Sequence, residues 1–198
     1  MNASPFRSNV SKHSSKPGAR AILVLLLVAL AMALIAVSAL AAGGNLVKNG
    51  SFEGGTHGIG IPNHWDDFSI VIDPKRVCNQ SYVGECSLKV FMDGEDKLVQ
   101  QLIYVDGNDG DTFKLGLWVK RKELVWGSGS LRIGFFFHRP DTSVEPYFYY
   151  LNAGTVTWTH FVYFPSATQD FDYMYIHILS DADSGKAWFD KVRLVEVP

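Results

Sequence analysis

The globular part of the chain opens on NLVKNGSFE, residues 45–53, and closes on AWFDKVRL, residues 187–194. Both stretches predict short strands. Each carries an acid, since Glu53 lies just past the predicted strand of the first stretch and Asp190 lies inside the second. Calcium prefers oxygen ligands drawn from carboxylates and backbone carbonyls. The pair therefore indicates either a structural calcium site that joins the two ends of a domain or two ordinary surface acids.

Length and composition favour one domain behind an N-terminal segment. The chain has 198 residues, of which 47% are hydrophobic and 19% are charged. Residues 1–42 hold four basic side chains and no acid, which leaves 14 basic and 20 acidic residues, a net charge of −6, for residues 43–198. Binding of nucleic-acid phosphates needs a basic surface. The composition therefore argues against nucleic acid as the main partner.

Residues 21–42 form an uncharged apolar run of 22 residues behind a basic, Ser-rich flank. This pattern is typical of an export signal whose N-terminus stays in the cytoplasm. The small side chains of Ala39 and Ala41 fit a cleavage site, yet the run is long enough to span a bilayer. We therefore expect residues 1–42 to be a cleaved signal peptide or a retained anchor. In both cases residues 43–198 lie outside the cytoplasm, secreted or at the cell surface, and only the N-terminal segment meets a membrane.

The remainder predicts an all-β fold. Short apolar or alternating runs are separated by Gly, Asn, Asp and Pro, and no long segment has the period of a helix. The number and spacing of these runs favour a two-sheet sandwich. The candidate strands are residues 45–48, 67–72, 87–91, 98–105, 112–121, 130–138, 146–151, 157–164, 173–179 and 187–195.

The two cysteines of the chain, Cys78 and Cys86, lie eight residues apart. An exported domain meets an oxidising compartment, where a disulfide that closes so small a loop would contribute roughly 2–3 kcal/mol. Two free, partly buried thiols are the alternative. The spacing is not that of a zinc knuckle, and the sequence has no second cysteine pair to complete one.

Five stretches in order resemble the carbohydrate-binding modules of the CenC type, families 4, 9 and 22. They are NLVKNGSFE at residues 45–53, PNHW at 62–65, GECSLKV at 84–90, TFKLGLWVK at 112–120 and AWFDKVRL at 187–194. The resemblance covers the whole predicted domain. It implies a β-jelly roll that binds a polysaccharide or glycan.

The resemblance also implies a structural Ca²⁺ between the terminal strands. Glu53 and Asp190 would give carboxylate oxygens to the ion, and the backbone carbonyls of Ser51 and Gly84 would be further ligands. The family ending carries a second Asp after the first, and here that position is Lys191. Because Asp190 is the residue that would hold the metal, we expect the site to survive this change.

A sugar site needs flat aromatic side chains and a few polar groups. Neighbouring residues of a strand face opposite sides, so the apolar alternation of three predicted strands turns their remaining side chains outward. In residues 146–151 the alternation leaves open whether Tyr147 and Tyr149 or Phe148 and Tyr150 face outward. Burial of these rings as packing residues is the competing interpretation. We expect one concave face lined by Trp118, Arg132, Phe136, His138, Tyr149, Tyr175 and His177.

The sequence contains no GxSxG, HExxH or glycine-rich phosphate-loop motif. It therefore predicts non-catalytic binding of a polysaccharide or glycan by an exported jelly-roll domain with one structural Ca²⁺. A structural or adhesive surface domain without sugar affinity is the first alternative. A small glycoside hydrolase that uses loop acids is the second.

Overall fold

The computed structural model describes residues 43–58, 60–68 and 74–198, and residues 43–198 form one compact unit. The predicted signal or anchor, residues 1–42, lies outside the described residues. Within the described part, no helix is long and apolar enough to cross a membrane. The strands are β1 (Thr56–His57), β2 (Ile61–Pro62), β3 (Asp66–Asp67), β4 (Lys75–Val77), β5 (Ser87–Met92), β6 (Lys97–Ile103), β7 (Thr112–Val125), β8 (Leu131–His138), β9 (Val144–Leu151), β10 (Gly154–Tyr163), β11 (Tyr173–Ser180) and β12 (Ser184–Val197).

Ten of these strands form two antiparallel sheets of five strands each. Sheet I has the order β10-β7-β12-β5-β4, and sheet II has the order β3-β6-β11-β8-β9. The remaining β1 and β2 pair with each other in a short hairpin. Consecutive strands change sheet repeatedly, which closes a sandwich around one core. The predicted all-β jelly roll is confirmed.

The core lies between the two sheets and follows the alternation of their strands. In β11, Met174, Ile176 and Ile178 are buried, while the residues between them are only half-buried. Each such apolar side chain contributes roughly 1.5–3 kcal/mol when it leaves water. A cluster of buried rings with centroids 4.8–6.1 Å apart fills one end of this layer, and its members are Phe113, Phe135, Phe137 and Phe171.

Eight of the ten predicted strands overlap an observed strand over most of their length, one shares a single residue with an observed strand, and one matches none. Of the predicted strand at residues 67–72, only Asp67 lies in β3, and residues 69–72 lie outside the described residues. The short strand Lys75–Val77 was not predicted. Its three residues carry too little alternation to be separated from a loop.

The prediction of a strand at residues 45–48 is wrong. Apart from the bond from the Leu46 amide to the Leu194 carbonyl at 2.9 Å, side chains bind the backbone of this segment where a neighbouring strand would. The Asn45 carboxamide oxygen accepts from the amide of Leu194 at 2.9 Å. The buried Gln101 side chain accepts from the amide of Lys48 at 2.7 Å and donates to its carbonyl at 2.8 Å. The Asn45 oxygen also accepts from the amide of Val47 at 3.1 Å, and local side-chain bonds of this kind compete with ladder bonds. The segment is nevertheless fixed to both sheets.

Candidate functional site

The outer side of sheet II carries a continuous aromatic surface. The register places Tyr175 beside Phe136 and Tyr173 beside His138, since β11 and β8 are neighbours. On the far side of β8, Phe148 lies beside Gly134. We call this surface the aromatic face and define it by its rings, which are Phe136, His138, Phe148, Tyr150, Tyr173, Tyr175 and His177.

The rings of the aromatic face contact one another across three strands. The Phe136 centroid lies 4.2 Å from that of His177 and 5.4 Å from that of Phe148. His138 stacks on Tyr173 with a centroid distance of 4.6 Å and an interplanar angle of 17°. Phe148 and Tyr150 at the β9 edge are 39% and 53% exposed. The face is therefore a layer of half-buried rings in mutual contact, with exposed rings at its β9 edge.

His177 lies at the centre of this face and contributes two polar atoms to it, its ring nitrogens. Its two ring nitrogens are buried, and neither has a hydrogen-bond partner among the described residues. Burial, with a smaller contribution from His138, lowers the pKa of His177 to about 4. Burial also lowers the pKa of His138. Both imidazoles are therefore neutral at neutral pH, and the face between them carries no charge.

Gly134 explains how Phe136 lies on the sheet. A Cβ at Gly134 would come within 2.5 Å of the Phe136 ring and within 3.0 Å of Leu179. The ring therefore occupies the space that a side chain on the neighbouring outward position would fill. Glycine at a strand centre commonly marks such a close approach.

Polar groups border the aromatic face. Gln100 lies beside His177 on β6, and Asp66 on β3 pairs with Gln100. At the end of the face where β8 pairs with Leu179, Arg132 lies 3.4 Å from the Asp181 carboxylate and donates to the Ser130 hydroxyl at 2.7 Å. A cavity of about 330 Å³ adjoins this border, and its lining includes Phe68, Leu98, Leu179 and Arg132. Groups that can bond hydroxyls thus lie at two places on the border of the aromatic face.

Five of the seven sequence-predicted ligand residues share this side of sheet II. They are Arg132, Phe136, His138, Tyr175 and His177, which the register places on neighbouring strands. The structure brings them together, whereas their role in binding stays a prediction.

Two of the seven lie elsewhere, which corrects the expectation of a single face. Trp118 belongs to β7 in sheet I, where it points away from the core and stacks on Tyr82 at 3.6 Å. Tyr149 faces the other side of β9 and contacts Phe161 and Tyr163 of sheet I at 5.6 and 6.0 Å. Strand alternation assigns a side within one strand, but it does not say which sheet the strand joins.

The seven expected ligand residues leave out three rings of the aromatic face, Tyr173 and the pair Phe148 and Tyr150, which the alternation keeps only as an alternative to Tyr147 and Tyr149. β9 contains aromatic residues on both of its sides, so its alternation gives no direction. The contacts that β9 makes with neighbouring elements would have shown which of its sides faces outward. The polar Glu145 and Tyr147 side chains bond each other at 2.7 Å, and Tyr147 also donates to the Ser166 carbonyl, which fixes that side of β9 against the loop before β11.

The acids proposed for calcium converge on one loop. Cys78 and Cys86 form a disulfide that closes this loop. The carboxylate of Glu53 accepts from the amides of Glu85 and Cys86 at 2.8 and 3.0 Å. The buried carboxylate of Asp190 accepts from the amides of Tyr82 and Val83 at 2.8 and 3.0 Å. These hydrogen bonds tie both ends of the domain to the disulfide loop.

The same groups offer a donor set that fits a hard cation. Burial raises the pKa of Asp190, and the nearby charge of Glu53 adds to that rise against the hydrogen bonds from backbone amides. Arg76 is the competing cation, because it lies 4.0 Å from the Glu53 carboxylate and donates to the Phe52 carbonyl at 2.5 Å. All candidate ligand atoms are oxygens, as Ca²⁺ requires. Over the described ranges, no group of three or more His, Cys, Asp and Glu side chains could hold a metal.

Gly84 is required where the loop meets Glu53. Its φ is +77°, and a Cβ there would lie 2.3 Å from the Glu53 carboxylate oxygen. The Gly84 carbonyl accepts from the Ser81 hydroxyl at 2.9 Å. Of the four predicted ligands, Glu53, Asp190 and Gly84 therefore meet at this loop, and Ser51 lies two residues before Glu53 in the chain.

Comparison with known proteins finds similarity at the level of the fold. No protein-family model matches the chain, and no curated protein matches it. A family 16 carbohydrate-binding module superposes with a TM-score of 0.54 at 20% identity, over 76% of this chain and 99% of that one. A family 61 module in complex with β-1,4-galactotriose gives a TM-score of 0.54 at 13% identity, over 78% and 99%.

A larger protein contains the same fold. The enzymatically active domain of tailspike protein 4 from bacteriophage CBA120 gives a TM-score of 0.62 at 15% identity, over 77% of this chain and 21% of that one. The chain thus matches about a fifth of that protein, and identities this low show the fold alone. The fold is that of carbohydrate-binding modules, as the resemblance predicted.

Proposed function

We propose that the chain binds neutral polysaccharide on the aromatic face, without catalysis. The observation that carries the proposal is the uncharged layer of contacting rings between polar borders on the outer side of sheet II. Sugars present apolar C–H faces that pack on flat rings and hydroxyls that bond polar groups beside them. Neighbours of the same fold include a module solved with galactotriose and a xylan-binding domain from Paenibacillus barcinonensis.

The solvent exposure of the rings indicates which residues would contact a sugar. Phe148 and Tyr150 are the most open rings of the aromatic face, and Arg132 lies with its guanidinium 5.8 Å from the Phe148 centroid. A sugar chain that crosses β9 towards β11 would meet these rings first and the half-buried Phe136 and Tyr175 next. Gln100 and Asp66 would take hydroxyls at the far border.

The test is a binding panel on xylan, cellulose, mixed-linkage glucan and galactan. Full-length protein in a non-ionic detergent is compared with Phe148→Ala and Tyr150→Ala. We expect each substitution to weaken binding to the preferred polymer about tenfold, because an aromatic contact of this kind is worth roughly 1–1.5 kcal/mol. Both side chains are exposed, so neither substitution removes a core contact.

The matched control is Phe164→Ala, which removes an exposed ring, 54% accessible, directly after β10 of sheet I. It should leave binding to neutral polymers unchanged. Absence of binding to every neutral polymer by the wild type would refute the proposal. It would favour the alternative of a structural or adhesive surface domain.

We also propose that a calcium ion supports the disulfide loop and that the domain works outside the cytoplasm. Glu53 and Asp190 would hold the ion, with the Ser51 and Gly84 carbonyls as further oxygens, and the ion would neutralise their charge. The binding of both acids to one loop, the effect of the Glu53 charge on the pKa of Asp190 and the oxygen-only donor set support this. The apolar run before residue 43 and the Cys78–Cys86 disulfide support the location.

A further inference from the structure

A second concave site lies on the opposite sheet. A groove of about 710 Å³ runs along the outer side of sheet I, between residues 45–51 and strands β7, β10 and β12. One wall is held close to β12, since a Cβ at Gly50 would lie 2.0 Å from the Val192 carbonyl oxygen. Its floor is open at Gly116, which has no side chain between Lys114 and Trp118. Its volume is within the range of ligand sites.

The groove is strongly cationic although the domain is acidic. Lys114, Lys191, Arg193 and His160 line it, and none of its described lining residues is Asp or Glu. The first three are exposed and belong to none of the ion pairs found in the described part of the chain. Three cations without a counter-charge in one groove favour an anionic ligand.

A β-bulge gives the groove two of these charges. The register of β12 against β7 slips between Asp190 and Arg193, so one extra residue lies on β12. Lys191 in that bulge has a φ of +49°, a conformation that non-glycine residues seldom adopt. Bulges redirect side chains at functional sites. Here the bulge separates the buried Asp190 from the outward Lys191 and Arg193.

The surroundings of the Trp118 ring indicate which class of anionic ligand suits the groove. Its faces are occupied by Tyr82 at 3.6 Å and by His160 at 5.0 Å, both nearly parallel to it. A single-stranded nucleic acid is usually held by open aromatic faces on which its bases stack. The net charge of −6 for residues 43–198 also opposes a densely charged polyanion. A ligand with spaced charges and no base suits the groove better.

We propose that this groove binds a carboxylated polysaccharide, with uronate carboxylates on Lys191, Arg193 and Lys114 and the sugar rings against the edge of Trp118 and His160. The proposal adds a second, acidic glycan ligand to the proposed function. That the ligand is a sugar polymer rests on the proposed function. The two faces use different residues and ligands of different charge. Their failures can therefore be told apart.

The test compares polygalacturonate with highly methyl-esterified polygalacturonate, in which the same sugar chain has lost its charge. Binding to full-length protein in a non-ionic detergent is measured by calorimetry at about 50 mM and about 300 mM salt, which bracket physiological screening. We expect binding to the charged polymer that weakens at high salt and little binding to the ester. Lys191→Gln with Arg193→Gln should weaken it about tenfold, as expected for two partly exposed charge contacts.

The matched control is Lys75→Gln with Lys122→Gln, which removes the same charge from exposed positions of sheet I outside the groove. It should change binding less than about threefold. Equal losses of polygalacturonate affinity in the two double variants would mean that binding depends only on the net charge of the protein, and would overturn the proposal. So would no binding by the wild type at low salt, or tighter, groove-dependent binding of a single-stranded oligonucleotide. Tyr150→Ala should leave polygalacturonate binding unchanged whatever it does to neutral polymers.

Discussion

His177 shows how a single side chain sets the character of a surface. Its imidazole lies between Phe136 and Tyr175, with ring centroids at 4.2 and 5.6 Å, and its nitrogens are buried without a described partner. An unpaired buried polar atom costs about 1–3 kcal/mol. The cost is tolerated at a position where a neutral, flat ring completes the aromatic face. Such departures from good packing chemistry are common at functional sites.

The acid sensitivity of the fold should depend on His177. Its pKa is about 4 in the folded chain and about 6.5 in an unfolded one, so the unfolded chain binds more protons between these values. Stability should therefore fall as pH drops from about 6.5 to about 4 and should level off below, as far as this group is concerned. Thermal melts of His177→Phe should show a shallower fall over this window than the wild type.

The control for this prediction is His57→Phe, an exposed histidine in the β1–β2 hairpin. It should keep the wild-type slope. An identical slope in His177→Phe would show that the imidazole does not resist protonation in the folded state.

For individual residues, the apolar alternation along the predicted strands identified most of the side chains of the candidate site. Tyr175 and His177 were predicted to face outward because the apolar Met174, Ile176 and Ile178 occupy the other side of β11, and the structure places them so. Trp118 was also correctly turned away from the core but was assigned to the wrong surface. Its neighbour in space is Tyr82, 36 residues earlier in the chain, and no local pattern carries that contact.

Among the elements, the disulfide loop joins the two ends of the domain. Glu53 comes from the first stretch of the globular part and Asp190 from the last strand, and their carboxylates hold adjacent amides of the same loop. The sequence predicted this meeting of termini from two acids. It did not predict that residues 45–48 lack the ladder of backbone hydrogen bonds of a strand. The side chains of Asn45 and Gln101 make bonds in place of that ladder, and these are tertiary contacts.

Removal of calcium should loosen this loop. We expect a chelator to lower the melting temperature of the full-length protein and added Ca²⁺ to restore it, since a ligand that binds only the folded state stabilises it. Glu53→Gln should remove the response to calcium and should itself destabilise the domain by about 1–3 kcal/mol, through weaker bonds to the loop amides. Mg²⁺ at the same concentration is the control and should restore less. Equal melting temperatures in chelator and calcium would contradict the proposed site.

For the molecule as a whole, the two outer surfaces differ in charge. The aromatic face of sheet II carries neutral imidazoles, and its border cation Arg132 is paired with Asp181. The groove on sheet I carries cations that are not neutralised within its lining. A sandwich with two unlike surfaces can hold a neutral polymer on one side and an acidic one on the other. This division could not be predicted from composition, because net charge averages over both surfaces.

The most direct measurement maps the surface that a neutral sugar touches. Backbone amide NMR shifts of the full-length protein would be followed while xylohexaose or galactotriose is added, whichever binds more tightly. The account predicts shifts that cluster in β8, β9 and β11 and leave the groove of sheet I unchanged. Shifts confined to sheet I, or none at saturating sugar, would contradict the assignment of glycan binding to the aromatic face.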